Sequence, residues 1–143
     1  MFMGRYNNSI DAKNRMIVPA KHRALLGEGC IITIGMERCL TIYSQDDWEK
    51  HAEKLDAIPE ADLEARNFVR LVFSYAENCT FDKQGRIIIP EHLKEYACIK
   101  KDLVTMGVKN KIEVWAQEMW EKPDNNLIYE PEKWADALIK YGF

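Results

Sequence analysis

Long hydrophobic runs are absent from this sequence. No apolar stretch approaches the roughly 20 residues that a membrane-spanning helix requires. The first residues also lack the basic-then-apolar pattern of a signal peptide. Because 30% of the residues are charged, these absences predict a soluble globular protein in the cytoplasm, without a membrane partner.

Patterns for metal binding, cofactor binding and catalysis are absent as well. The sequence has no glycine-rich loop of the kind that holds phosphates and no pattern of a nucleophile with a base. Its cysteines and histidines are too scattered for metal-ligand spacing: Cys30, Cys39, Cys79, Cys98, His22, His51 and His92. We expect buried free thiols, with His22 and His92 at the surface or partly buried. No enzyme, metal site or cofactor is predicted.

What the sequence does contain is a repeat. Residues 11–19 (DAKNRMIVP) recur 71 positions later as residues 82–90 (DKQGRIIIP). A second block, residues 35–50, matches residues 107–122 at an offset of 72. A unit of this length that occurs only twice predicts one domain with pseudo-twofold symmetry rather than a solenoid.

Each copy of the first block predicts a tight turn, a short strand and a helix. The turn needs a positive backbone φ, which Asn14 and Gly85 can adopt. The branched runs at 16–18 and 87–89 suit buried strands, and the proline after each run suits the start of a helix. Short strands cannot build an independent core, so the two halves are expected to interleave.

The remaining elements follow from hydrophobic periodicity and capping residues. We predict further strands near 1–10, 30–34, 39–43, 78–81, 103–106 and 112–116, and helices over 19–26, 44–55, 60–76, 91–97, 117–120 and 131–141. Ser44 is the predicted N-cap of its helix. The helix over 60–76 should bury a stripe of Leu63, Phe68, Leu71, Val72 and Tyr75. The last helix, with Trp134, Leu138 and Tyr141, should pack against the body.

The net charge of −3 argues against nucleic-acid binding only if the charge is evenly spread. Residues 1–29 contain five basic and two acidic side chains, and residues 82–101 contain five basic and three acidic ones. Residues 30–81 contain ten acidic and five basic ones. Positive charge therefore coincides with the two copies of the motif, and the acidic stretch 46–64 is interpreted as a solvated helix face turned away from any nucleic acid.

Each copy of the motif places an aspartate four residues before an arginine: Asp11 and Arg15, then Asp82 and Arg86. One interpretation is an ion pair that only holds the loop in shape. The other is a basic surface, since a planar guanidinium can donate two parallel hydrogen bonds to phosphate oxygens or to guanine. The two are compatible, because an aspartate that orients an arginine also prepares it for binding.

At these residues the sequence resembles a known family. The opening MFMGRY, residues 11–21, residues 82–86 and the segments 107–108 and 112–115 are similar to the MraZ family of bacterial transcriptional regulators. The similarity covers nearly the whole chain and is weakest after Pro123. It implies an α+β fold, namely a pseudo-twofold AbrB-like swapped-hairpin (double-split) β-barrel made from two repeats, with external helices.

The resemblance also sets expectations for organisation and function. Residues 1–76 should form the first repeat with the linking helices, and residues 77–143 the second repeat with a C-terminal helix, both within one barrel domain. The family likeness implies a nucleoid-associated, ring-shaped homo-oligomer. It would bind short direct repeats in the double-stranded promoter DNA of the division and cell-wall gene cluster, including its own gene, and usually repress transcription.

The family's Asp-x-x-x-Arg motif falls on both aspartate–arginine pairs, and the first copy is the expected DNA contact. The candidate DNA-binding residues are Arg15, Arg86, Lys13, Lys83, Lys21, Arg23 and Arg5, and the candidate loop-shaping residues are Asp11, Asn14, Asp82 and Gly85. Asn14 stands where the family commonly has glycine. Asparagine tolerates a left-handed backbone, so the turn should persist, although its side chain can alter what the loop touches.

Two other interpretations compete with sequence-specific DNA binding. An oligomeric protein-interaction scaffold would use the barrel for assembly and the motif only to lock the turns. The paired aromatic residues Tyr43, Trp48, Trp115 and Trp120 could instead form a stacking platform for single-stranded bases. Their positions at strand ends and on helices favour packing in the core or between subunits.

Overall fold

The computed structural model describes residues 1–125, 128 and 130–143. The first half contains β1 (Arg5–Ser9), β2 (Arg15–Ile17), α1 (Ala20–Leu26), β3 (Gly29–Ile34), β4 (Leu40–Tyr43), α2 (Gln45–Asp56) and α3 (Leu63–Tyr75). The second half contains β5 (Glu77–Thr80), β6 (Arg86–Ile88), α4 (Glu91–Tyr96), β7 (Asp102–Val108), β8 (Lys111–Ala116), α5 (Gln117–Trp120) and α6 (Pro131–Ile139). Across these ranges, no helix combines the length and the apolar character needed to cross a bilayer.

The strands pair across the two repeats. Six of them form an antiparallel sheet in the order β1-β7-β8-β4-β3-β5, and β2 pairs with β6 in a separate two-stranded ribbon. Exchanging every strand for its counterpart in the other repeat reverses this order and keeps every pairing. Because β1 pairs with β7 and β5 pairs with β3, each repeat completes the sheet of the other. The predicted α+β fold with swapped hairpins and external helices is therefore confirmed.

One hydrophobic core lies between the sheet and the ribbon. The ribbon contributes Met16 and Ile87, each 1% exposed, and the sheet contributes residues such as Ile32 and Ile42 at 0%. Leu93 of α4 closes the same cluster. Since both repeats supply these side chains, neither half encloses a core of its own.

The ribbon is buried on one face only, whereas the apolar runs predict buried strands. Successive side chains of a strand point to opposite faces, so Met16 and Ile87 face the core and their neighbours face outward. Ile17 and Ile88 are accordingly 51% and 60% exposed. The outer face of the ribbon is thus available for contacts outside the chain.

Two helices differ from their predicted form. α3 begins at Leu63 rather than at residue 60, because the Asp62 side chain caps the helix by accepting a hydrogen bond from the Ala65 N–H at 3.1 Å. The predicted stripe is only partly correct, since Leu63 and Leu71 are exposed and Val72 is the buried residue. α6 ends at Ile139 rather than at residue 141, and it contains no fully buried residue, although Leu138 is half-buried. The predicted packing of its apolar side chains against the body stays a prediction.

Two single-residue predictions also need correction. His22 is 1% exposed, since α1 turns it inward, where its Nε2 lies 2.8 Å from the Met3 carbonyl oxygen and its ring meets the edge of Tyr6. Cys98 is an exposed free thiol, whereas the other three cysteines are buried free thiols as predicted. The buried imidazole fastens the N-terminal segment to α1.

Substitution of two adjacent isoleucines tests which face of the ribbon packs against the core. Ile89 is 0% exposed and Ile88 is 60% exposed. We expect Ile89→Ala to lower the free energy of unfolding by about 2–5 kcal/mol and Ile88→Ala by less than about 0.5 kcal/mol. Urea denaturation followed by circular dichroism measures both values, and equal losses would contradict the one-sided burial.

Candidate nucleic-acid interface

The loop before β2 is organised by one carboxylate. Asp11 Oδ1 accepts hydrogen bonds from the backbone N–H groups of Lys13 at 2.9 Å and Arg15 at 2.8 Å. Its Oδ2 accepts from Arg15 Nε at 2.7 Å. The turn closes through Asn14, whose φ is 60° and whose N–H donates to the Asp11 carbonyl at 3.0 Å. Asp11 therefore fixes both the shape of the loop and the direction of the guanidinium.

The loop before β6 repeats this geometry. Asp82 Oδ1 accepts from the N–H groups of Gln84 and Arg86, each at 2.9 Å, and Oδ2 accepts from Arg86 Nε at 2.7 Å. Gly85 has a φ of 74° and donates to the Asp82 carbonyl at 3.0 Å. The predicted positive φ at both turn positions is confirmed, and the two loops are structural equivalents.

The fold brings the two arginines onto one face of the ribbon. Arg15 lies opposite Ile88 and Arg86 opposite Ile17 in the antiparallel register. Arg86 Nη1 also lies 3.9 Å from Asp11 Oδ2, which connects the two loops in one chain of charges. The aspartates use the Nε atoms, and within the described ranges no hydrogen bond occupies the terminal nitrogens. Each arginine thus keeps a fork of donors for an external acceptor.

Both aspartates are held in the ionised form. The Arg15 backbone N–H is the largest cause that lowers the pKa of Asp11, and the Arg86 backbone N–H does the same for the pKa of Asp82. The side-chain hydrogen bonds from the same arginines lower both pKa values further. Since each arginine charge is matched by a carboxylate, net positive charge at this face must come from neighbouring lysines.

The predicted lysines lie on the two loops and on α1, and no residue that the structure describes forms a hydrogen bond or ion pair with their side chains. Lys13 lies on the first loop, Lys83 on the second and Lys21 in the first turn of α1, and all three are exposed. Lysines of this kind can move to meet phosphates, because their flexible stems do not fix the position of the charge. Their charges are therefore less fixed in position than the guanidinium groups, which Asp11 and Asp82 hold.

The two other predicted cations are placed differently. Arg23 is partly buried, and its Nη1 donates to the Val18 carbonyl at 2.9 Å, so it supports the end of β2. Arg5 is exposed on β1, and its guanidinium carbon lies 5.9 Å from the centre of the Trp120 ring. Arg23 is therefore engaged inside the protein, and Arg5 lies over an aromatic ring.

Asn14 and Gly85 occupy equivalent turns but serve different neighbours. The Asn14 amide donates to Glu91 Oε2 at 3.0 Å and accepts from Lys94 Nζ at 3.1 Å, which ties the first loop to α4. A Cβ at Gly85 would lie 2.0 Å from Arg23 Nη1, so glycine is needed for that arginine to pass. The Asn14 side chain is therefore used within the protein, where sequence reasoning expected it to alter external contacts.

The aromatic residues pack inward, as predicted. Tyr43 and Trp115 are each 3% exposed. The ring centres of Tyr43 and Trp48 are 5.8 Å apart, and those of Trp115 and Trp120 are 5.4 Å apart in an edge-on contact. Rings packed in this way do not offer the open faces that base stacking requires.

Sequence reasoning missed Ile17 and Ile88 as candidate site residues. Both lie on the outer face of the ribbon, directly opposite the two arginines. The period of two along a strand was the available signal, because each isoleucine lies two positions after an arginine. The uniformly apolar runs around them hid this signal.

The similarity to known proteins covers nearly the whole chain. A family model described as "MraZ protein, putative antitoxin-like" matches residues 1–71 and again residues 72–138. Three similar proteins are each named "Transcriptional regulator MraZ". The one from Desulfitobacterium hafniense is 50% identical over 142 residues, with 99% of both chains covered. The one from Clostridium tetani is 47% identical over 131 residues, with 91% of this chain and 92% of the relative covered.

The third, from Caldanaerobacter subterraneus, is 46% identical over 142 residues, with 99% of both chains covered. The matched family repeats agree with the repeat detected in the sequence. The shared name denotes a class of regulators that are not enzymes, as the sequence predicted.

Acid sensitivity tests the role of the two loop carboxylates. Because folding lowers the pKa of Asp11 and Asp82 below the ordinary value of 3.8, their ionised forms stabilise the native state above that pH. This stabilisation is lost as the pH falls through the lowered values. We expect the double variant Asp11→Asn and Asp82→Asn to show a shallower loss of the urea midpoint between about pH 5 and pH 2 than wild type.

Asp136→Asn is a matched control, since it removes a carboxylate from α6, outside both loops. If the urea midpoint of the double variant fell as steeply with decreasing pH as that of wild type, the two carboxylates would not stabilise the folded loops.

Proposed function

The chain belongs to the MraZ family, and from this premise we propose that it regulates transcription by binding specific sequences of double-stranded DNA. The supporting observation is the pair of equivalent loops on one ribbon, each holding an arginine whose terminal nitrogens make no hydrogen bond to the described residues. Such a fork matches the paired acceptors of guanine in the major groove and the oxygens of a phosphate. The named relatives, which are called transcriptional regulators, support the same reading.

Different roles are proposed for the basic residues. Arg15 and Arg86 contact base edges or phosphates, because their positions are fixed by Asp11 and Asp82. The exposed lysines contact phosphates, which positions the protein without reading sequence; they are Lys13, Lys21 and Lys83. Arg5 is a weaker phosphate contact, and Arg23 acts indirectly by supporting the ribbon.

Affinity is proposed to come from many subunits. Each phosphate that is neutralised changes the log–log salt slope by only about −0.9, so one ribbon binds weakly. In a ring-shaped homo-oligomer the later contacts become intramolecular, and avidity adds roughly 10²- to 10⁴-fold when the DNA repeats match the subunit spacing. This accounts for DNA binding by a chain whose net charge is −3. The proposed domain organisation, repeats over 1–76 and 77–143, supplies one ribbon for each subunit.

The proposed target follows from the family resemblance. It is the promoter of the division and cell-wall gene cluster, including the gene of the protein itself, where short direct repeats are bound and transcription is repressed. The protein would then act in the cytoplasm, associated with the nucleoid.

Arg15→Ala tests the proposed DNA contact. Loss of one bidentate contact costs about 1–3 kcal/mol per site, and every subunit of the oligomer carries the change. We therefore expect specific retardation of the promoter duplex to disappear in a gel-shift assay, while sedimentation shows an intact oligomer. Arg86→Ala should weaken binding in the same direction.

Arg70→Ala is the matched control, because it removes an exposed arginine of α3 that bonds only to Asn67 within the described residues. Labelled promoter and scrambled duplexes are titrated at several salt concentrations. An Arg15→Ala protein that binds like wild type would remove Arg15 from the interface. A wild-type protein with neither sequence preference nor a steep salt slope would favour the oligomeric scaffold instead.

The number of DNA repeats tests the avidity argument. Duplexes of equal length that carry one repeat or several repeats should differ in affinity by roughly 10²- to 10⁴-fold. Fluorescence anisotropy measures both affinities at one fixed salt concentration. Similar affinities for the two duplexes would contradict the proposal that the subunits bind together.

A further inference from the structure

Two isoleucines on the outer face of the ribbon are left half-exposed by the part of the chain that the structure describes. Ile17 is 51% exposed and Ile88 is 60% exposed. Each lies directly opposite an arginine, because Ile17 pairs with Arg86 and Ile88 with Arg15. The outer face is therefore a two-by-two pattern in which apolar and cationic side chains alternate along each strand and across the ribbon.

We propose that Ile17 and Ile88 read thymine, each by contacting a thymine 5-methyl group in the major groove beside a base bound by an arginine. This inference rests on the proposed DNA binding and names two residues that determine its sequence preference. The thymine methyl is the apolar feature of the major groove, and aliphatic side chains are suited to contact it. A two-stranded ribbon also fits the groove, which is about 12 Å wide.

The spacing of the side chains agrees with the spacing of bases. Residues two apart on a strand, such as Arg15 and Ile17, are separated by about 6.6–6.8 Å. Bases along one DNA strand rise by about 3.4 Å per step. The arginine and the isoleucine of one strand therefore reach bases about two steps apart. The residue opposite, at about 4.5–5.5 Å, reaches the step between them or the complementary strand.

The charges around the isoleucines argue against a protein partner on this face. A protein surface that covered Ile17 and Ile88 would also remove water from Arg15, Arg86 and their aspartates. Removing water from such ions is unfavourable unless new partners compensate. DNA supplies base and phosphate acceptors for the guanidinium forks while its methyl groups meet the isoleucines. The same face can therefore satisfy both kinds of side chain on a nucleic acid.

The ribbon is held firmly enough to position these side chains. Asn8 Nδ2 donates to the Ile17 carbonyl, and the Ile89 N–H donates to the Asn14 carbonyl at 2.8 Å. The Val18 N–H donates to the Gly85 carbonyl at 3.1 Å. The C-terminal end of each strand is thus bonded to the turn of the other repeat, and Asn8 holds β2 from within its own repeat. A strand held in this way presents its outward side chains at defined positions.

A thymine-to-uracil cycle tests the inference. Wild-type protein first selects its preferred duplex from a random pool, and that duplex is remade with deoxyuridine in place of each thymine in turn. Uracil lacks only the methyl group, so wild type should bind about fourfold more weakly for each contacted methyl that is lost. Ile88→Ala and Ile17→Ala should bind the thymine duplex more weakly and should lose the penalty at their own thymine.

Ile139→Ala is the matched control, because Ile139 is 66% exposed and belongs to α6 rather than to either strand of the ribbon. It should keep the wild-type affinity and the full uracil penalty. Sedimentation of all three variants should match wild type.

Three results would overturn the inference while leaving the proposed function in place. Wild type could bind the selected duplex without a penalty at any uracil. The isoleucine variants could bind weakly yet keep every wild-type penalty. They could also change the size of the oligomer, which would assign the isoleucines to a subunit contact. A pool that yields no enriched sequence would overturn the proposed function itself, and the inference with it.

Discussion

The structure depends on one carboxylate in each repeat. Asp11 and Asp82 each accept two backbone N–H groups and an arginine Nε, so a single side chain sets the loop, the start of the strand and the aim of the guanidinium. The loop then serves the other repeat, because the carbonyls of Asn14 and Gly85 accept the N–H groups of Ile89 and Val18. The loop that each aspartate shapes therefore also supplies a backbone hydrogen bond between the two repeats.

The exchange of strands links stability to the site. The inner face of the ribbon closes a core to which both repeats contribute, and the outer face carries Arg15 and Arg86. Because side chains alternate along a strand, burying Met16 and Ile87 forces both arginines outward together. The relative position of the two loops is therefore a product of the folding of the whole chain, and no separate device is needed to bring them together.

The sequence predicted what is local and what is repeated. Positive φ at Asn14 and Gly85, the helices after the two prolines and the pseudo-twofold arrangement all followed from residue types and from the repeat. Burial was harder to predict, since it depends on a partner surface. The runs at 16–18 and 87–89 are apolar throughout and so do not reveal which side chain faces outward, and the helical spacing in α6 does not reveal how deeply its side chains are buried. The inward position of His22 likewise depends on the N-terminal segment that packs over it.

The difference between Asn14 and Gly85 has a consequence for how two related halves can evolve. A pair of identical single-repeat chains would have to carry the same residue at both turns, and its ribbon would have exact twofold symmetry. Joining the halves in one polypeptide removes that restriction. One turn holds an asparagine whose side chain is bonded to α4, and the other holds a glycine, which leaves space for the Arg23 side chain. The two ends of the ribbon are thereby chemically distinct, which gives the ribbon a defined direction that a symmetric pair of chains would lack.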